Sequence, residues 1–295
     1  MKPKIDLESS NVKKVLDFYT KEVEIALGTE QIVEKSVLPI YSVPITKAHQ
    51  KKKNKPIQIG TGILVKIEDH FFVFGSTHVF CEFENKALLI GTLEYSKIEE
   101  VSGERYSTGN LEHCKIDKYD ASVFHIQSTV SENLRKVAIG LDYFDLDGFD
   151  RLKPVYMITG FLAKKSNTSG NIIKSKAKNI STIEIDDYAE YGYDKNTHIV
   201  LAYEDQVVLN GNWQTSPKPI GMSGGAIIKA QGTSLIPLKS NRKNKKQLLS
   251  AITIEQYRDN AGRLGVLIGT RINVHLGLVD KFMPDLLKSF LDKYK

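Results

Sequence analysis

The sequence predicts a mostly β protein, a sandwich or a barrel, with a helix at either end. Three observations carry this. From about residue 35 to about 270 the chain is a succession of short β-branched or aromatic runs set off by turns, among them "GTGILVKI", "HFFVFGS", "KALLIGTLEY", "ASVFHIQ", "PVYMITGFLA", "HIVLAYED", "GGAIIKA", "LLSAITIEQY" and "GVLIGTRI". Several of these alternate apolar and polar residues over two positions, the period of a half-buried strand. Both ends of the chain switch instead to helical apolar spacing. Many short strands with frequent turns favour a sandwich or barrel.

Residues 10–27, "SNVKKVLDFYTKEVEIAL", set Val12, Val15, Leu16, Tyr19, Val23 and Ile25 to Leu27 largely at helical spacing, and Ser9, Ser10 or Asn11 is placed to cap the first turn. After Gly28, "QIVEKSVLPIYSVPI" reads as extended chain broken by prolines. The tail, "HLGLVDKFMPDLLKSFLDKYK", returns to helical spacing and is expected to pack on the last strand. No internal repeat or long low-complexity stretch interrupts this order. A boundary near "GLDYFDLDGFDRLKP" (140–154) divides the β region into two similar halves. The expected parts are an N-terminal helical extension over 1–34, a first β unit over 35–145, and a second over 146–295 that ends in the C-terminal helix.

At 295 residues and 41% hydrophobic content, the chain can form one large domain or two small ones, each with its own core. Lys+Arg stand at 41 against 35 Asp+Glu, a net charge of +6, and much of the excess lies in "HQKKKNK" (49–55) and "KSNRKNKK" (239–246). Such clusters can touch nucleic acid or anionic lipid. Neither is interleaved with the aromatics that stack on single strands. Solvated loops are the expected reading, and nucleic acid is not expected as the main ligand. No apolar run is long enough to cross a bilayer. The two cysteines, Cys81 and Cys114, are few for a secreted protein of this size. The opening "MKPKIDLESSNVKKVLDF" lacks the apolar core of a signal peptide. These features predict a cytoplasmic protein with free thiols whose spacing suggests no metal site. High Lys, Asn and Ile content points to a bacterium with an AT-rich genome.

The chemistry starts at "PIGMSGGAII" (219–228), where Ser223 sits among Gly221, Gly224 and Gly225 just before an apolar run. Taken alone this is common turn chemistry. A serine hydroxyl becomes a nucleophile only when a base removes its proton, and that base is usually a histidine oriented by a carboxylate. Of the seven histidines, His78 stands out because it follows the strand-like run "FFVFGS" where polar residues begin, so its ring can face a cleft. His49 and His70 lie among charged residues, and His125 is on a strand, where a structural role is the simpler expectation. For the carboxylate, Asp120 directly precedes the alternating run "ASVF" and is preferred over Asp117, which sits in the polar approach where solvation is expected. Acyl transfer builds negative charge on a carbonyl oxygen, and converging backbone N–H groups stabilise it; losing one such donor costs about 3 kcal/mol. The N–H groups of Gly221 and Ser223 are the candidates, because glycine lets the chain turn so that two of them converge.

"GSTHVF", "DASVF" and "GMSGGAII", in that order, resemble the trypsin/chymotrypsin-like serine peptidases, and the resemblance spans roughly residues 35 to 290. "GTGILV" looks like the family's "GSGF" strand, and "VYMITGF" (155–161) looks like the first strand of its second barrel. The resemblance implies two antiparallel six-stranded β-barrels, chymotrypsin-like, with the site in the cleft between them. It implies Ser223 as nucleophile, His78 as general base and acid, Asp120 as the residue that orients His78, and Gly221 and Ser223 as oxyanion donors. It calls for no metal or organic cofactor and for a protein or peptide substrate.

Three departures qualify it. Secreted members usually carry an Asp before the serine, which pairs with a new N-terminus after activation; here that residue is Met222, so a cut-and-insert switch is not expected. The site is expected to be preformed, or ordered by substrate or by a regulatory partner protein. The family's "AAHC" is here "STHV", with Cys81 three residues after the histidine, so the flanking disulfide is expected to be absent. Six positions before the serine, at the base of the family's primary pocket, stands the uncharged Pro217, which argues against strict Lys or Arg preference and for a small or apolar side chain. Trp213 is a candidate pocket wall or a core residue.

The expected function is a serine endopeptidase acting by limited proteolysis in regulation, stress or defence. The alternative is a catalytically silent peptidase-fold scaffold that binds peptide or protein. A purely structural reading of Ser223, His78 and Asp120 is respectable for each alone and weak for all three together.

Overall fold

The structure is a computed structural model that describes residues 9–43, 55–81, 87–92, 97–109, 117–146, 153–169, 172–209, 212–234, 246–258 and 265–292. The basic clusters at 49–55 and 239–246 fall almost wholly outside these residues. Helix α1 (Ser10–Leu27) follows Ser9, which makes no side-chain capping bond, and leads to the one-turn helix α2 (Ile32–Lys35).

Six antiparallel strands then form a closed barrel. They are β1 (Val37–Ser42), β2 (Ile57–Ile67), β3 (His70–Ser76), β4 (Ala87–Thr92), β5 (Lys97–Ser107) and β6 (Ala121–Ile126). Their order is β4-β1-β2-β3-β6-β5, and β4 pairs with β5 to complete the ring. Closure depends on β5, which pairs with β4 over Lys97–Ser102 and with β6 over Gly103–Ser107. The changeover falls at Gly103, where a Cβ would lie 1.9 Å from the His125 carbonyl oxygen. Only a residue without a side chain lets the two backbones meet there. Leu38, Ile40, Leu64, Val73, Leu88, Ile90, Val101 and Phe124 fill the interior. Alternate residues of the same strands, among them Ile63, Val65, Phe72, Phe74 and Val123, face outward into a second apolar cluster. Strand β3 is buried on both faces, which is why "FFVF" reads as a continuous apolar run. Two short helices belong to this half, α3 (Thr77–Phe80) directly after β3 and α4 (Glu132–Val137) after β6.

The second half is a six-stranded antiparallel sheet. Its strands are β7 (Tyr156–Phe161), β10 (Ala177–Thr182), β11 (His198–Ala202), β14 (Ala226–Gln231), β15 (Lys246–Tyr257) and β16 (Val266–Arg271), in the order β10-β7-β14-β15-β16-β11. An antiparallel bridge, Glu184 to Leu201, connects the chain after β10 to β11. Tyr156, Ile158, Ile199, Leu201, Met222, Ile227, Ala251 and Leu267 pack on its inner face. Strands β12 (Gln206–Leu209) and β13 (Asn212–Thr215) make a separate ribbon. The hairpin β8 (Asn167–Ser169) and β9 (Ile172–Lys174) follows β7 in sequence yet pairs with β5 of the barrel through Ile172 and Lys97.

The chain ends cross between the halves. In the N-terminal segment, Glu22 accepts a bond from the Ser234 N–H at 3.0 Å, and the Glu34 carboxylate accepts from Asn179 at 2.6 Å and Gln247 at 2.8 Å, all three donors belonging to the second half. Helix α5 (Ile272–Phe282) does the reverse. Its Leu276, Leu278 and Val279 pack with Phe74 and Val123 of the barrel, and Phe282 stacks on Tyr106 at 4.3 Å. The C-terminal helix was expected on the last strand; it leaves that strand directly and lies on the barrel. The chain breaks after Phe282, around Pro284, and resumes as α6 (Lys288–Leu291).

The cysteine expectations are corrected as well. Cys81, at the C-cap of α3, is disulfide-bonded. The chain has one other cysteine, Cys114, which lies outside the described residues. Spacing along the chain carried no sign of a bond that the fold makes. Neither the expected free thiols nor the expected lack of a disulfide beside the histidine holds. A disulfide also fits an oxidising compartment, so cysteine usage no longer supports a cytoplasmic setting. No described helix is long and apolar enough to cross a membrane.

Candidate active site

Strand β3 ends at Ser76, and the chain turns at once into α3, whose second residue is His78. The turn is short because side chains and carbonyls from the neighbouring strand take over its bonds. Thr77 N–H donates to the Asp120 carbonyl at 2.9 Å, and His78 N–H donates to Asp120 Oδ1 at 2.8 Å. His78 Nδ1 lies 2.5 Å from Asp120 Oδ2. The histidine side chain is 38% exposed and the carboxylate 11%, so one ring edge is held in the protein and the other is open. Burial pushes the Asp120 carboxyl above its usual range, and its bonds to His78 oppose that shift.

Asp120 has φ +46°, a left-handed conformation rare for a residue with a side chain. Ser107 and Ser122 share a bond at 2.5 Å beneath it, and Ser122 Oγ donates to Thr77 Oγ1 at 3.0 Å. Asp117, expected to be solvated, is half-buried. It accepts bonds from Thr108 Oγ1, from Tyr119 N–H at 3.0 Å and from Thr77 Oγ1 at 3.4 Å. It braces the residue before His78 rather than facing open water.

Ser223 comes from the turn before β14. Gly221 has φ +92° and Gly224 φ +82°, and a Cβ on Gly224 would stand 1.9 Å from the Thr61 carbonyl. Both positions therefore need glycine. The turn is bonded from within, Met222 N–H to Pro219 at 2.9 Å and Gly225 N–H to Met222 at 2.8 Å, and Gly224 N–H donates to Thr253 at 2.7 Å. Among the described residues, the N–H groups of Gly221 and Ser223 have no acceptor. These are the two donors singled out from the sequence. Ser223 Oγ is part-buried and lies 3.5 Å from the Ile254 carbonyl. No hydrogen bond joins it to His78 among the described residues.

Thr61 of β2 fixes the turn to the barrel, and sequence reasoning passed over it. Its N–H donates to the Ser223 carbonyl at 2.9 Å, its hydroxyl donates to the Gly221 carbonyl at 2.8 Å, and that hydroxyl accepts from Phe161 N–H at 3.1 Å. The signal was its place between two glycines in "GTGILV". Met222, just before the serine, is fully buried with Ile158 and Ile227, so an apolar side chain fills the place where a charge would need a partner. Pro217 is half-buried and its carbonyl accepts the Tyr203 hydroxyl. Trp213 lies opposite Val208 in the β12–β13 ribbon. His70 and His125 face each other across paired strands, ring nitrogens 3.1 Å apart, away from this site. Among the described residues, no group of three or more His, Cys, Asp or Glu is arranged to hold a metal ion.

No family model and no curated protein sequence matches the chain. Among solved structures, it is similar to neuropsin, a serine protease expressed in the limbic system of mouse brain. The match has 11% sequence identity and a TM-score of 0.50, and covers 86% of this chain and 97% of that one. At that identity the likeness bears on the fold alone, and the fold is trypsin-like.

Proposed function

We propose that this protein is a serine endopeptidase that works through an acyl-enzyme intermediate. The observation that carries the reading is the 2.5 Å contact between His78 Nδ1 and Asp120, with the other edge of the ring open, beside a serine turn that leaves two N–H groups without acceptors. In this reading Ser223 Oγ attacks the substrate carbonyl carbon as its proton passes to His78 Nε2. The oxygen turns anionic against the Gly221 and Ser223 N–H groups. His78 then gives the proton to the departing amine as the C–N bond breaks, and water repeats the sequence on the ester. Asp120 holds the imidazole in the tautomer that leaves Nε2 free to accept. The buried Met222 favours a site that needs no new N-terminus. Pro217 favours a small or apolar side chain in the primary pocket. Limited proteolysis is favoured over digestion by analogy alone.

A second reading, a silent scaffold that binds an extended peptide, has one observation in its favour. The Ser223 hydroxyl is directed at the Ile254 carbonyl rather than at His78. From Glu255 onward β15 pairs with β16 on one edge only among the described residues, so a peptide could add there. Labelling with a fluorescent fluorophosphonate separates the two readings. Attack by Ser223 on phosphorus expels fluoride and leaves a stable adduct. The peptidase reading expects labelling of wild type and none of Ser223→Ala or His78→Ala; folded wild type that stays unlabelled favours the scaffold.

A further inference from the structure

Asp120 directly precedes β6 of the barrel, yet the chain that delivers it is gripped from the other half. His198 opens β11 and Thr270 nearly closes β16, and the two are direct cross-strand partners, so their side chains leave the sheet on one face. Both are fully buried. His198 Nε2 lies 3.0 Å from the Lys118 carbonyl oxygen, and Thr270 Oγ1 donates to the Tyr119 carbonyl. Two consecutive carbonyls of the approach to Asp120 are thus held by two adjacent side chains of the second sheet.

The histidine has a defined role in this contact. A carbonyl can only accept, so Nε2 carries the proton. Nδ1 lies 2.9 Å from Thr197 Oγ1, whose hydroxyl can donate to it in the neutral ring. Burial lowers the His198 pKa, in keeping with a neutral imidazole. The ring is also walled, with Tyr119 stacked on it at 5.8 Å and Tyr193 tilted against it at 4.7 Å. Tyr193 donates its hydroxyl to Glu255, the neighbour of Ile254, whose carbonyl faces Ser223. A left-handed non-glycine residue such as Asp120 persists only where its surroundings over-determine it. The barrel holds Asp120 by its carboxylate and carbonyl; the second sheet holds the two residues before it.

We infer that His198 and Thr270 are positioning residues that clamp the Lys118–Tyr119 carbonyls and so set the Asp120 carboxylate against His78. The inference rests on the peptidase reading for its catalytic meaning, though not for its test. The histidine–aspartate pair is then complete only when the second sheet is docked.

The test uses the full chain and two measurements. The first is the low-field proton resonance of His78 Nδ1–H, assigned by its loss in His78→Ala. The second is fluorophosphonate labelling, resolved into its saturating rate and its half-saturating concentration. His198→Phe keeps the stacking and removes the donor; His198→Gln restores an N–H near Nε2; Thr270→Val removes the hydroxyl at constant shape. The expected result is that His198→Phe and Thr270→Val shift or erase the resonance. The saturating rate should fall about 10- to 100-fold in His198→Phe and less in Thr270→Val, with the half-saturating concentration unchanged. His198→Gln should stay near wild type in both measurements. If wild type does not label, the peptidase reading fails and the resonance alone decides the clamp. The clamp is overturned if wild type shows no such resonance, if folded His198→Phe or Thr270→Val keeps it unchanged, or if His198→Gln fails as His198→Phe does. Should His198→Phe not fold, Thr270→Val and His198→Gln still decide the matter.

Discussion

His78 and Asp120 are held by side-chain bonds on a one-turn helix and a strand approach, whereas Ser223 is held by backbone bonds in a glycine turn. The barrel half meets its geometry with hydroxyls and carboxylates: Thr77, Ser122, Ser107, Thr108 and Asp117 form a continuous network under the histidine. The second half meets its geometry by removing side chains, so that N–H groups of the chain itself are left open. A side-chain network can be tuned one group at a time, while a glycine turn tolerates almost nothing. Substitutions should therefore grade smoothly on the barrel side and fail abruptly on the serine side.

The largest effects test the two halves at the groups that the peptidase reading makes reactive. Ser223→Ala should cut the labelling rate by about 10⁴-fold or more with the protein still folded, and Asp120→Asn by about 10³- to 10⁴-fold through the wrong histidine tautomer. Labelling of folded Ser223→Ala at the wild-type rate would break the comparison outright.

Next comes the glycine turn. Gly224→Ala combines left-handed strain, about 1–3 kcal/mol, with a Cβ driven into the Thr61 carbonyl, so both thermal stability and labelling should collapse. Gly192→Ala is the control. It has φ +74° with nothing within 4 Å of the new Cβ, so a small loss of melting temperature and unchanged labelling are expected.

A smaller effect concerns the junction of α5 with β3. His275 is fully buried, its Nε2 is 3.0 Å from the Gly75 carbonyl, and burial lowers its pKa from 6.5 to about 4. The unfolded chain binds the proton more readily, so this histidine costs stability as pH falls below about 6.5, and the cost grows until pH reaches about 4. Between pH 7 and pH 5 the loss should be about 2 kcal/mol by denaturant titration. His275→Gln should flatten that part of the profile; an unchanged slope would place the acid sensitivity elsewhere.

The smallest effect sharpens the contact between the halves. Thr61→Val leaves the buried Phe161 N–H without its acceptor, at a cost of about 1–2 kcal/mol, and frees the Gly221 carbonyl. Labelling should slow modestly, and a rate equal to wild type would show that the turn holds itself.

The parts of the molecule that declared themselves in the sequence are those whose neighbours along the chain determine them. Ser223 with its glycines, His78 at a strand end and Asp120 at a strand start were legible because local geometry and local chemistry coincide there. Strand β5 was not singled out, since "KIEEVSGERYS" is largely polar and shows no clear apolar alternation; its position depends on two partner strands and Gly103. Thr61 gave only a local sign, its place between two glycines, and His198 gave none, because their partners lie 160 and 80 residues away in the chain. Cys81 misled, since its place three residues after the histidine gives no hint of a disulfide. The tail read correctly as helix and wrongly in its packing, because an amphipathic face does not name the surface it will cover.

The crossing of the chain ends has a consequence for how the molecule can come apart. The first helices are bonded to the half made later, through Glu22 and Glu34, and α5 lies on the half made earlier, through Leu276, Val279 and Phe282. Each half wears the other's terminus as a brace. A break between the halves would give two fragments, each lacking a brace that the other carries. Such fragments should fold poorly alone and re-form the assembly when mixed, so that integrity survives a nick that separation would not.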